Sequence, residues 1–168
     1  MINKYIETII LNNGDDIITP SNNVSMVFGD NSLLHAVIIL NNTTYTTIPV
    51  LDYDKKFLGL ISAGQIFKFL GEKHLEGFDS LEEYKVRDAL DHRYSLINEN
   101  FKLEDAMRAL INHNFLIVVD EDMIFKGLVT RSALLKKVNF LAHEIDKDYK
   151  ITPKAAKRKR ALIPNFIR

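Results

Sequence analysis

A chain of 168 residues is one ordinary domain or two very small ones. It is 46% hydrophobic and 26% charged, enough apolar material for a soluble core, and its lack of cysteine excludes a disulfide framework, a thiolate metal site and a cysteine nucleophile. The formal net charge of zero hides an asymmetry: Lys154, Lys157, Arg158, Lys159, Arg160 and Arg168 lie in an acid-free end, so the rest of the chain is acidic.

No apolar run approaches the ~18 residues of a membrane span. Glu7 comes too early for a signal peptide, so a cytoplasmic protein is expected, with no membrane partner. In chain order, a short apolar strand is expected at Ser25–Phe28. A helix follows, capped by Asn31 or Ser32, with Leu33, Ala36, Val37 and Leu40 on one face. Two strands come next, split by a polar turn at Asp52–Lys56. Ser62 opens a closing helix, and Gln65 three residues on fits a capping box. The acid-rich stretch Glu72–Tyr84 reads as a surface linker, helical in part. The same order then returns: a strand at Tyr94–Ile97, and a helix with Leu103, Ala106, Met107 and Leu110 on one face. Two strands around Asp120–Asp122 and a helix from Thr130 complete it.

The halves superimpose as sequences. With Gly59 over Gly127, a shift of 68, Val50 falls on Val118, Asp52 on Asp120, Phe57 on Phe125, Leu60 on Leu128 and Ser62 on Thr130. Upstream the shift is 70, bringing Leu33 onto Leu103, Ala36 onto Ala106 and Leu40 onto Leu110. Halves of about 50 residues are too small to bury a core alone. They are expected to pack as one module.

The five histidines, His35, His74, His92, His113 and His143, are scattered, with no His-x-x-x-His pair. There is no Walker loop, Gly-x-Gly-x-x-Gly or nucleophile elbow. An enzyme is therefore the poorest reading. The basic end admits a nucleic-acid-binding adaptor, but a solvated terminus explains it as well, and nucleic acid is not the favoured partner.

The order strand–helix–strand–strand–helix, with Ile48-Pro49-Val50-Leu51-Asp52 leading into Phe57-Leu58-Gly59-Leu60-Ile61-Ser62, resembles a CBS repeat. Phe125-Lys126-Gly127-Leu128-Val129-Thr130 repeats the signature. The resemblance implies an α/β (α+β) fold in which two CBS repeats form one pseudo-two-fold module. Residues 15–71 would form the first repeat, 72–84 the linker, 85–141 the second repeat and 142–168 a basic tail. Tyr45–Asp52, Asn114-Phe115-Leu116 and Phe125–Arg131 are similar to the stand-alone CbpB/DarB family, which binds cyclic di-AMP. That resemblance implies a regulatory protein with no cofactor, whose ligand is cyclic di-AMP or another adenine nucleotide. It also implies a homodimer controlling a target protein, either a (p)ppGpp synthetase or pyruvate carboxylase. A CBS module sensing AMP, ATP or S-adenosylmethionine is the alternative.

A nucleotide slot in such proteins lies between the repeats, which here points to Asn23, Val24 and Ser25 and to Tyr45, Thr46, Thr47 and Ile48. Tyr45 fits stacking on a base as well as capping the core. Phe115 and Phe125 read as core. Thr130 and Arg131 would open the last helix. Free amides, the helix dipole and a guanidinium would all favour a phosphate there. The sequence departs from the ribose-binding Ser/Thr-x-x-Asp pattern, with Gln65 and Ala133 at the acid's position. Asn23 and Ser132 stand where close relatives carry cations. The dimer seams expected are Ile66, Phe67 and Leu70 with Leu134, Leu135 and Val138.

Overall fold

The computed structural model describes residues 4–12, 16–75, 77 and 80–148. The basic end beyond Asp148 lies outside them. The first half contains β2 (Val27–Phe28), α2 (Leu33–Asn42), β3 (Thr47–Leu51), β4 (Phe57–Ser62) and α3 (Ala63–Glu72). The second contains β5 (Leu96–Asn98), α5 (Leu103–Asn112), β6 (Phe115–Val119), β7 (Phe125–Thr130) and α6 (Arg131–Asp148). Ahead of them come α1 (Lys4–Asn12) and β1 (Ile18–Pro20), and between them α4 (Ser80–Glu83). The expected first strands are thus trimmed at their starts, and the last helix runs on past residue 141.

Local chemistry explains the element ends. Ser32 Oγ accepts the His35 amide and so caps α2. Ser62 Oγ accepts the Gln65 amide in the same way. The reciprocal half of the expected capping box does not form, and Gln65 Nε2 donates to the Leu90 carbonyl across the linker. The hairpin turns are held by aspartates at equivalent places. Asp52 Oδ1 accepts the Lys56 amide, and Asp120 Oδ1 accepts the amides of Asp122 and Ile124. A hydrogen bond from Lys126 also holds the Asp120 carboxyl below the usual carboxylate range.

Each half is a β–α–β unit with an antiparallel return strand: β2 lies parallel to β3 and β5 parallel to β6. Within β3 and β6 the side chains alternate between two buried faces, hence the continuous apolar runs. Ile48 and Val50 face the helices of the first half, and Leu116 and Val118 those of the second. Leu51, Ile117 and Val119 face the other way, into a third cluster with Val24, Phe57, Leu60, Phe125 and Leu128 that joins the two sheets.

The halves also exchange segments. β1, at the start of the first repeat, pairs antiparallel with β7 of the second, Ile18 opposite Val129. Asp91, near the start of the second repeat, bridges to Leu60 of β4 with N···O distances of 2.8 and 3.0 Å. The helices follow the same rule. Ile10 of α1 is buried in the core of the second half, and Leu81 of α4 in that of the first. At the far end the hairpin turns bond each other, Phe57 N to Met123 O at 3.0 Å and Phe125 N to Lys55 O at 2.9 Å.

The two equivalent glycines carry different loads. Gly127 has a φ of +153°, and a Cβ there would overlap the Thr19 carbonyl oxygen and meet Ile18 Cγ2 at 3.0 Å. At Gly59 a Cβ would meet Asp91 O and Leu90 Cβ at 3.3 Å, a mild crowding. Gly127→Ala is expected to cost about 3 kcal/mol or more by expelling β1, and Gly59→Ala about 1 kcal/mol or less. Urea unfolding of the two variants checks the order, and equal costs would refute the account of β1.

Candidate functional site

A cleft of about 280 Å³ opens where the two halves meet. Three stretches build it. The first is Val24-Ser25, where the chain leaves a short 3₁₀ turn (Ser21–Asn23). The second is the run into β3, Thr44 to Pro49. The third is supplied by the second half: Asn114 and Phe115 at the start of β6, Leu128 and Thr130 on β7, and Ser132 in the first turn of α6.

The topology forces this arrangement. β6 and β7 are antiparallel neighbours with Phe115 opposite Thr130, so the entrance to β6 and the exit into α6 lie side by side. The Arg131 amide donates to Asn114 O at 2.8 Å and ties the two together. Thr130 Oγ1 accepts the Ala133 amide at 3.1 Å, capping α6, and shares a 3.1 Å hydrogen bond with Ser132 Oγ. On the opposite wall Thr43 Oγ1 accepts the Tyr45 amide at 3.3 Å.

Of the residues expected to bind a ligand, Val24, Ser25, Tyr45, Thr46, Thr47, Ile48 and Thr130 line the cleft. Asn23 and Arg131 are not among its lining residues. Arg131 Nε donates to Leu110 O, and Nη2 to the carbonyls of Ile111 and His113. In this conformation its guanidinium therefore satisfies the end of α5, where a phosphate contact was expected. Its neighbours in sequence on either side, Thr130 and Ser132, line the cleft instead. Phe115, expected in the core, is half-buried and forms part of the wall, whereas Phe125 is core. Thr44, Pro49, Asn114 and Leu128 were not among the expected ligand contacts, and Ser132, expected only as a place where relatives carry a cation, also lines the cleft. Asn114 carried a signal in its place just before β6, equivalent to the run into β3.

The chemistry of the lining is uniform. Hydroxyls and one carboxamide are set among Val24, Ile48, Pro49, Phe115 and Leu128, and no lining residue carries a charged side chain. Tyr45 is 52% exposed, leaving its ring available at the cleft. The shifted carboxylates, Asp91 beside Arg93 and Asp120 beside Lys126, are not among the lining residues. Among the described residues no cluster of His, Asp or Glu could hold a metal ion, and no helix is long and apolar enough to cross a membrane. The arrangement can take a flat, partly apolar ring with polar edges and satisfy oxygen atoms by hydrogen bonds.

The CBS domain family matches residues 15–72 and 86–139. The chain is 31% identical over 110 residues to cyclic di-AMP receptor B of Bacillus subtilis (strain 168), covering 65% of this chain and 74% of that protein. Among solved structures it is similar to CbpB from Streptococcus agalactiae, with a TM-score of 0.84 and 26% identity, over 91% of this chain and 96% of that one. It is also similar to CbpB of Listeria monocytogenes, solved in complex with c-di-AMP, with a TM-score of 0.68 and 36% identity, over 75% and 94% of the two chains.

Proposed function

We propose that this chain, which belongs to the CBS domain family, binds cyclic di-AMP in the cleft between its halves and controls a partner protein accordingly. The observation that carries the reading is the cleft itself. It is built from equivalent segments of the two repeats and lined by the threonines and the tyrosine of the run into β3. Support also comes from the 36% identical Listeria protein, whose structure contains that ligand.

The volume of about 280 Å³ lies just below the usual range of small-molecule sites, ~300–1,000 Å³. It suits one base with its sugar, and the rest of a dinucleotide would extend along the mouth. A mononucleotide reading is weakened at the ribose. Gln65 spends its carboxamide on Leu90 O, and Ala133 has no polar side chain. Cyclic di-AMP, whose 3′ oxygens are tied into phosphates, asks less of that position. This is a binding role rather than a catalytic one, consistent with a cytoplasmic protein. By resemblance the controlled partner is a (p)ppGpp synthetase or pyruvate carboxylase.

Calorimetry of the full chain with cyclic di-AMP, AMP, ATP and S-adenosylmethionine tests the reading. Saturable binding of cyclic di-AMP, tighter than that of any mononucleotide, is the expected outcome, and tighter binding of a mononucleotide would overturn the assignment. Because no lining side chain is cationic, Ser132→Arg should add a charge-assisted bond worth about 1.5–3 kcal/mol. Affinity should tighten by roughly ten- to a hundred-fold and become more sensitive to salt. An unchanged or weakened affinity would place the phosphates elsewhere.

A homodimer is part of the same proposal. Ile66 and Leu134 of the expected seams are buried within their own halves, at 2% and 6% exposure. Phe67 and Leu135, equivalent positions on α3 and α6, are 63% and 59% exposed and are the side chains a second copy would cover. Light scattering is expected to give twice the chain mass, falling to one chain mass in the double variant Phe67→Glu, Leu135→Glu. A monomeric wild type at micromolar concentration would refute this.

A further inference from the structure

We infer that Arg131 is a positioning residue, which holds the Asn114–Phe115 wall of the cleft in place by clamping the carbonyl end of α5. The inference rests on the cleft being the nucleotide site proposed above. Its structural half stands without that.

One residue gathers four carbonyls of a single stretch. Arg131 Nε donates to Leu110 O at 2.9 Å, Nη2 to His113 O at 2.9 Å and Ile111 O at 3.3 Å, and the backbone amide to Asn114 O at 2.8 Å. The last carbonyls of a helix have no partner within it, and the negative end of its dipole favours a cation. A guanidinium, with five donors in a rigid plane, suits several such oxygens at once. The stretch it grips leads straight into the wall, and Thr130 and Ser132, its immediate neighbours in sequence, line the same cleft. Arg131 therefore fixes the spacing between two lining segments without itself lining the cleft.

The first half shows what happens without such a clamp. The position equivalent to Arg131 is Ala63. There, among the described residues, the end of α2 is held by local side-chain bonds, Asn42 Nδ2 to Ile38 O at 3.0 Å and Tyr45 N to Thr43 Oγ1 at 3.3 Å. The two walls of the cleft are thus unequal: ahead of its strand, the second half's is pinned by a charged side chain from α6, whereas the first half has alanine at that place and relies on its own loop and the pairing of β3 with β4. A preformed wall lowers the ordering cost of binding.

The test uses Arg131→Ala and Arg131→Lys in the full chain. Hydrogen exchange of the free protein reads the clamp, and calorimetry compares adenosine, an uncharged probe, with cyclic di-AMP at two salt concentrations. Arg131→Ala should speed exchange at residues 111–116 while leaving β3 and β4 protected. It should weaken both ligands by the same factor, about ten-fold, with unchanged salt dependence. Arg131→Lys, whose single ammonium cannot span the carbonyls, should fall between, and it carries the test if the alanine variant does not fold. Unchanged exchange in the variants would overturn the clamp. Selective loss of cyclic di-AMP with a flattened salt dependence would make Arg131 a phosphate ligand instead. If the wild type binds neither adenosine nor cyclic di-AMP, the nucleotide reading fails, and with it the positioning role. The exchange result then still decides whether the clamp exists.

Discussion

Neither half of this chain can finish its own sheet, and the rest of the structure depends on that. β7 takes its outer neighbour from β1, at the opposite end of the sequence, and β4 takes a bridge from Asp91. Gly127 lies directly against β1, where a Cβ would overlap the Thr19 carbonyl oxygen, and Gly59 stands beside the Asp91 bridge with slightly more room. Reciprocal bonds between the hairpin turns at Lys55 and Met123 close the other end. Both turn residues have a φ of 65°, so the two turns share one left-handed geometry. The cluster around Leu51, Phe57, Ile117 and Phe125 fills the space between the sheets. A cleft formed at this seam belongs to both halves, so a ligand there would read their relative placement.

The cleft divides its duties. Hydroxyls and apolar surface face inward, and the charged residue of the α6 start is spent outside on the carbonyls of α5. In the observed conformation Arg131 has partners whether or not the cleft is filled.

Much of the fold was legible because it is written twice. The spacing Leu33, Ala36, Leu40 recurs as Leu103, Ala106, Leu110, and all but Leu40, which is partly buried, are buried as expected. The strands and turns around Gly59 and Gly127 repeat as well. What escaped was whatever depends on a distant partner. β1 has three residues ending in Pro20, with no alternation to reveal it, and its signal is the backbone of β7. α1 carried a weak cue in Ile6 and Ile10 at helical spacing, but the core they join belongs to the second half. The bonds from Arg131 to the end of α5 are the sharpest case. Read locally, a cation at a helix start asks for an anion. The tertiary fold brings the negative end of α5 to the same point, and no periodicity in the sequence announces that meeting.

The pairing of β1 with β7 has a consequence for how the chain is made. Ile18 emerges from the ribosome early and Val129 late, so the first strand waits through most of synthesis for its neighbour. The same holds for Ile10, whose core is completed by α6. Contacts so far apart in sequence form slowly, because a long loop must close before they stabilise anything. The first half, with its own helices and hairpin, can collapse while the rest is being translated, but the seam cannot. A chain released early would therefore present an apolar sheet face and an unpaired N-terminal segment, making truncated products targets for degradation or aggregation.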